Sequence, residues 1–548
     1  MDSRALNDLL VARVRELAAR KPASSKEEHA QRVAQDRPRL LRCLGLDPLP
    51  PRTDLRAQVT GVLSRDGYRI EKVRYESRPG LLVTAHLYIP DGAGPFPVIM
   101  APHGHFSYKK NEPQIQAQAI SAALYGMATL VVDSPGVSWD AGPTNERQGM
   151  GKHDDALVAM GTPLYGIYVW DVMRGLDWLE TRPEIDTKRV GISGCSGGAA
   201  ATMYAFAVDE RIGSAVPVCG VGSFEDQHNN GCLCNHVPGI LELGDRADVL
   251  ALRAPAPVLV VGATDDPEFP PDSNRRTHQK LEAIYRHYQA RDAVRLEIVD
   301  SPHEYNRRMR EAMLGFFDQH LNGQPARPYA IEKRPLTDGL RYPAVAGTED
   351  PTSPELQVTG WHERSTRTFR ELLHEALLAP YPQPFDASAR LARWGKLGSL
   401  AGPRPGEELA IHDGDIAKPE VSSSWALPIA DLDFRLAIYL GLSLPEFLAQ
   451  VLHLFAPGGS EGYEVIPESG NVLGNVLTSM RTVIGKPVES KLVRVIAEGP
   501  YASLTARFLQ KLRPGLQIQI SHTHSGYNDL AAAEIVFPNA RTLRWPFE

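Results

Sequence analysis

Apolar residues in this chain fall into short unbroken runs in one region and into alternating or helix-spaced patterns around it. The runs lie at 98–101, 128–133, 190–193, 215–218, 257–263 and 294–299. A strand that is apolar on both faces has to be covered on both faces, which predicts a parallel sheet between helical layers. Stretches with helical spacing at 114–125, 168–180 and 275–288 alternate with the runs and supply those layers. Upstream, 68–73 and 81–89 alternate as half-buried strands do, with Asp66-Gly67 and Pro79-Gly80 as turn signals beside them. The expected fold class is α/β: a mostly parallel twisted sheet with helices on both faces, entered through antiparallel strands.

The flanks read differently. Residues 1–58 have helical spacing and finish in Pro48, Pro50 and Pro51, so an N-terminal helical extension is expected there. Proline-rich text around 325–351 separates the sheet-forming region, 59–328, from a C-terminal domain at 329–548. Three domains suit a length of 548 residues, which is too long for one core.

Composition narrows the partners. With 43% hydrophobic and 23% charged residues the chain is ordinarily globular, and a net charge of −7 leaves no electrostatic footprint for nucleic acid. No run approaches the roughly 18 apolar residues that suggest a membrane span. Leu6, Leu9, Leu10, Val14 and Leu17 lie on one helical face among charges, unlike a signal peptide. A cytoplasmic location is the expectation, although a processed secreted chain would read the same. The five cysteines, Cys43, Cys195, Cys219, Cys232 and Cys234, are an odd and sparse set that suits a reducing compartment. Cys232 and Cys234 lie near His228 and His236, but zinc-binding thiol pairs are usually spaced by two or more residues. A loop near the active site is the expectation there, with no metal.

The run at 190–193 leads into Gly194-Cys195-Ser196-Gly197-Gly198 and then an alanine-rich helix. A serine on a tight turn between strand and helix presents its hydroxyl, and small residues two positions either side let the two backbones approach. Cys195 would need glycine at 193 and Ser193 would need it at 195; neither has it, so Ser196 is the candidate nucleophile. Such a serine needs a base that is itself oriented by a carboxylate. Asp265 and Asp266 follow the run at 257–263, and His303 follows the run at 294–299. Asp266 is favoured over Asp265 by its spacing to Pro270-Pro271, with Asp265 the alternative acid. Glu304 reads as a flanking polar residue. The oxyanion needs two preorganised N–H donors. Gly197 follows the nucleophile, and His105 lies in the loop Pro102-His103-Gly104-His105 after the run at 98–101. His103 reads as a histidine that ties this loop down.

These residues resemble the α/β-hydrolase superfamily, and within it the acetyl xylan esterase-like and dienelactone hydrolase-like enzymes. The matching elements are Pro79-Gly80, the His103-Gly104-His105 loop, Asp133-Ser134-Pro135-Gly136, Asp171 to Arg174 with Asp177-Trp178-Leu179, Gly194 to Gly198, Asp266 to Pro271, and His303. They span about residues 60–325. The resemblance implies a serine carboxylic-ester hydrolase with a Ser196–His303–Asp266 triad, acting on short acyl esters of carbohydrates or similar small esters without a cofactor. Acetyl xylan and cephalosporin-C deacetylases carry an Arg-Gly-Gln-Gly motif, and the nearest text here is Glu146-Arg147-Gln148-Gly149. The same triad order serves peptidases of the prolyl oligopeptidase type and lactone or amide hydrolases. The peptidases usually carry a β-propeller of several hundred residues, and only about sixty residues precede this domain. A non-catalytic binding protein on this fold would typically have lost the serine or the histidine. A homo-oligomer is compatible with all of these readings.

One internal similarity extends the resemblance. Leu164-Tyr165-Gly166, Met173-Arg174 and 189–196 are echoed by Val472-Leu473-Gly474, Met480-Arg481 and 494–501. Tyr501 stands where Ser196 would be, and the sequence reaches Glu548 before a matching acid or histidine. The expectation for 329–548 is a degenerate α/β-hydrolase-like domain without its own chemistry. Trp361, Trp394 and Trp425 are expected in its packing.

Overall fold

The structure is a computed structural model of the whole chain, described at 12, 14–135, 163–227, 237, 239–324 and 348–358, and in five further strands beyond residue 400. The chain forms two compact units, the larger comprising Glu16–Asp154 and Gly161–Leu372.

A nine-stranded sheet organises the larger unit. Its strands are β1 (Gln58–Arg65), β2 (Tyr68–Arg78), β3 (Leu81–Pro90), β4 (Phe96–Pro102), β5 (Ala128–Val132), β6 (Ile185–Cys195), β7 (Ser214–Val218), β8 (Val258–Asp265) and β9 (Val294–Pro302). They lie in the order β1-β2-β3-β5-β4-β6-β7-β8-β9. The first three pair antiparallel, and β3 also pairs antiparallel with β5. The turns between them are closed by Gly67 at φ 86° and Gly80 at φ 75°, where a side chain would strain the backbone. From β5 onward every pairing is parallel. This is the α/β-hydrolase arrangement, and all six expected apolar runs are strands of the parallel part. The strand β1 was not expected from the pattern. It is an edge strand whose residues are exposed or half-buried, so it carries little of the apolar signal that marks the others.

Helices α2 (Pro113–Leu124), α3 (Leu164–Leu179), α4 (Gly197–Val208), α5 (Arg246–Ala251), α6 (Pro271–Arg286) and α7 (Arg307–Leu321) follow the strands. In α3 nearly every residue is buried, and Trp170 donates its indole N–H to the Ser77 carbonyl at 2.9 Å. The Tyr75 hydroxyl donates to the Asp171 carbonyl at 2.7 Å, so α3 is tied to β2 at two points. Helix α1 (Lys26–Cys43) precedes the sheet and is capped by Ser25, whose side chain accepts from the Glu28 N–H. His29 meets the Tyr288 hydroxyl at 2.6 Å and Arg37 donates to the Leu252 carbonyl, which anchors α1 near the ends of α6 and α5.

The sheet reverses direction of growth at β4, which lies between β5 and β6. In such sheets the ligand crevice forms where the strand order switches, at the carboxyl ends of the strands. Register places those ends together: Met100 pairs with Ile192, Cys195 with Val218, and Asp265 with Pro302. Loops leaving β4, β6, β7, β8 and β9 therefore emerge along one edge.

Beyond residue 400 the described elements are strands. Leu409–His412 (β10) pairs parallel with Trp425–Pro428 (β11) and with Tyr463–Ile466 (β12), and Gln517–Ser521 (β13) pairs antiparallel with Ala532–Val536 (β14). Trp425 opens β11. The echo at 472–501, with Tyr501, lies outside the described residues, as do Trp361 and Trp394. Among the described residues no helix is long and apolar enough to cross a membrane.

Phe317 of α7 is fully buried in the cluster between α2, α7 and the parallel strands, with its ring against Gly191 of β6. Truncation leaves a cavity behind the nucleophile strand. Phe317→Ala is expected to cost about 3–5 kcal/mol, read as a lowered denaturation midpoint of the larger unit in urea.

Candidate active site

Three strand ends carry the candidate residues. After β6 the chain turns into α4 through Ser196, which sits at φ 59°, ψ −123°, a backbone conformation that L residues rarely adopt. The turn is held by the Ser196 N–H donating to the Val218 carbonyl at 2.9 Å, and by Ala199 donating back to the Ser196 carbonyl at 2.8 Å. Gly194 and Gly198 both press on the Pro102 carbonyl, where a methyl group on either would collide. Gly197 opens α4, and the first N–H groups of a helix have no partner inside it.

The two other candidates in this turn are buried. Cys195 is fully buried, and burial pushes its thiol well above the usual range. Ser193 is buried as well, its hydroxyl donating to the Val216 carbonyl at 2.8 Å.

The loop after β4 lies against this turn. A methyl group on Gly104 would stand 2.6 Å from the Cys195 carbonyl oxygen and 3.1 Å from Ser196 Cβ, so only glycine fits. The His105 ring lies beside Gly197: a methyl there would meet its Cε1 at 3.1 Å. The Tyr165 hydroxyl donates to the Gly197 carbonyl at 2.9 Å. His103 is buried, with Nδ1 2.8 Å from the Gly104 carbonyl and Nε2 3.1 Å from the Ser134 N–H. Nε2 also lies 3.3 Å from Asp133 Oδ1. His103 thus ties the loop down, and its N–H donates to the Tyr168 hydroxyl at 2.7 Å.

Behind His103, Asp133 of the Asp133-Ser134-Pro135-Gly136 element pairs with Lys110, which sequence reading did not single out. Asp133, fully buried, accepts from Lys110 Nζ at 2.6 Å, from the Thr84 hydroxyl at 2.5 Å and from the Lys110 N–H at 3.2 Å. Burial alone would raise the Asp133 carboxyl, but the Lys110 charge and His103 hold it well below the ordinary range. Lys109 and Lys110 are both buried in the short turn Lys109–Asn111.

After β8 the two aspartates part. Asp265 is exposed, while Asp266 is 3% exposed and turns inward. Asp266 Oδ2 lies 2.8 Å from His303 Nδ1, and Oδ1 accepts from the Glu268 and Phe269 N–H groups at 2.9 and 3.0 Å. His303 follows β9 and keeps 23% of its side chain exposed. Burial pulls its pKa down, yet the hydrogen bond and charge of Asp266 outweigh this and raise it to about 9. The Phe269 ring stacks on the His303 ring, with centroids 6.0 Å apart and planes within 17°. Glu304 is a flanking residue, accepting from the Ser301 hydroxyl and the Asn306 amide. Cys219, after β7, lies close to Asp266 and His303. Nothing in its sequence context marks it. His228, Cys232, Cys234 and His236, as well as 146–149, lie outside the described residues.

Comparison with known proteins follows the same lines. The family model of fungal glucuronyl esterases matches residues 78–223, which run from the end of β2 past the nucleophile turn. YtaP of Bacillus subtilis (strain 168), which carries the name of a hydrolase, is 22% identical over 306 residues, covering 53% of this chain and 99% of its own. Among solved structures, Methylesterase BT1017 is 24% identical with a TM-score of 0.46, over 60% of this chain and 72% of that one. A glucuronoyl esterase from Solibacter usitatus is 16% identical with a TM-score of 0.44, over 54% of this chain and 94% of that one. With this sheet order and the tight turn at Ser196, the larger unit has the α/β-hydrolase fold, and the chain is similar in sequence to the glucuronyl esterase model and to YtaP.

Proposed function

We propose that the chain is a serine carboxylic-ester hydrolase that forms a covalent acyl-enzyme on carbohydrate esters. The observation that carries this reading is the Asp266–His303 pair after β8 and β9, together with the strained Ser196 turn after β6 in the same sheet. Ser196 Oγ attacks the ester carbonyl as His303 Nε2 takes its proton. Asp266 holds the Nδ1–H tautomer and stabilises the imidazolium. The Gly197 and His105 N–H groups receive the oxyanion in a site whose dipoles are already oriented. His303 then protonates the departing alcohol and activates the water that releases the acid. None of these steps calls for a cofactor.

Two ester classes fit. Acetyl groups on sugars are what the resemblance to acetyl xylan esterase-like enzymes implies. The match to the fungal glucuronyl esterase model supports the second class, in which the acyl part is the sugar itself, an ester of a uronic acid carboxyl. Initial rates on p-nitrophenyl acetate and on a methyl ester of glucuronic acid separate the two. Wild type is expected to turn over at least one, with Ser196→Ala lower by several orders of magnitude. Wild-type silence on both substrates, or activity surviving Ser196→Ala, overturns the reading.

The acid is tested with the same substrates. Asp266→Asn is expected to lower kcat by about four orders of magnitude, because the amide holds the wrong tautomer, while Asp265→Asn stays near wild type. The reverse pattern would move the acid to Asp265.

Proton affinity sets the pH dependence. Catalysis needs neutral His303, so kcat/KM is expected to climb with pH along a limb centred near 9 rather than near the ordinary 6.5. Removing the Asp266 charge in Asp266→Asn shifts that limb to lower pH as it lowers the plateau. Because folding raises the pKa, the pair's stabilisation is complete below about 6.5 and is lost as pH rises through about 9. A limb that stays near 6.5 in the wild type contradicts this coupling.

A further inference from the structure

Cys219 takes no part in the ester mechanism, yet it stands within reach of two residues that do. Its Sγ, a carboxylate oxygen of Asp266 and a ring nitrogen of His303 all lie within 4.8 Å of one another. The thiol has weak partners in its present place: the Glu304 carbonyl at 3.7 Å, Met309 Sδ at 4.0 Å and the buried Cys195 thiol. The three donors leave three successive strands of the sheet, β7, β8 and β9, so the backbone fixes their spacing. Cys219 is itself held by its N–H donating to the Val261 carbonyl at 2.8 Å.

One sulfur, one imidazole nitrogen and one carboxylate oxygen form a donor set suited to a thiophilic divalent cation, with a fourth tetrahedral position left for water. We propose that Cys219, Asp266 and His303 form a binding site for Zn²⁺ or a similar cation, and that filling it switches the hydrolase off. Bond lengths of about 2.0–2.3 Å to tetrahedral zinc place its ligand atoms roughly 3.3–3.8 Å apart. The Asp266–His303 contact therefore opens from 2.8 Å while the thiol closes in. Cys219 releases its proton to solvent and binds as thiolate. The Nδ1 lone pair becomes a metal bond, so the ring proton that Nδ1 carried moves to Nε2. A ring protonated at Nε2 cannot take the proton of Ser196. The exposed part of His303 gives the cation its way in. Inhibition rests on the role proposed for His303; cation binding does not.

The test uses the full chain freed of metal with EDTA. Titration with CoCl₂ is expected to raise a thiolate-to-cobalt charge-transfer band in the wild type that is absent from Cys219→Ala and is displaced by ZnCl₂. Alanine and cysteine tolerate the φ of 47° at this position alike, and the substitution leaves Asp266 and His303 in place. In rate measurements ZnCl₂ is expected to inhibit the wild type at concentrations at least about tenfold lower than Cys219→Ala, EDTA restoring activity and MgCl₂ having no effect. No cobalt band in the wild type, or one that persists in Cys219→Ala, overturns the site. Equal zinc sensitivity of the two proteins overturns the inhibitory role. If no ester is turned over, the proposed function falls while the cobalt band still decides the cation site.

Discussion

The backbone at Ser196 is the constraint on which the rest of the site depends. A residue with a side chain is held at φ 59°, ψ −123°, and such strain persists only where surrounding structure over-determines it. Here β7 supplies the Val218 carbonyl that takes the Ser196 N–H, and β4 supplies the Pro102 carbonyl on which Gly194 and Gly198 both rest. Any side chain at Gly194, Gly198 or Gly104 would push strand, helix and loop apart. The glycines are therefore required by close packing of three backbones, and only secondarily by freedom of φ.

The second layer of that support is ionic. Two opposite charges with side chains at most 1% exposed, Lys110 and Asp133, stand behind the loop that carries His103 to His105. Burying such a pair is seldom a net gain in stability, because the desolvation cost is comparable to the attraction. Its consequence here is geometric. Asp133 uses both oxygens on fixed donors, its backbone neighbour Ser134 orients His103, and His103 in turn holds the Gly104 carbonyl. A loop so tied keeps a constant place beside Gly197, where the His105 ring lies.

The third element is the imidazole. Burial disfavours its charged form, while Asp266, with its other oxygen committed to two backbone N–H groups, favours it strongly. The ring is further fixed by the stacked face of Phe269, which belongs to the same short loop as Asp266. One loop thereby sets both the proton affinity and the orientation of His303.

Much of this was legible before any coordinates. The unbroken apolar runs marked all six parallel strands, because a strand covered on both faces has nowhere to put a polar side chain. Ser196 and His303 were legible because strand ends are where this sheet exposes polar groups, and Gly194, Gly197 and Gly198 bracket the serine. The edge strand β1 was not, since its half-exposed residues follow no apolar rule. Between Asp265 and Asp266 the sequence could only favour one, for both leave the same strand. Which aspartate turns inward depends on how β8 ends against β9 and on the Glu268 and Phe269 N–H groups, a matter of three-dimensional contact. Lys110 behind His103, Phe269 over His303 and Cys219 beside Asp266 and His303 were invisible for the same reason. Pattern along a chain reports which residues must be buried, whereas the partners they meet there come from other strands and are decided only when the sheet assembles.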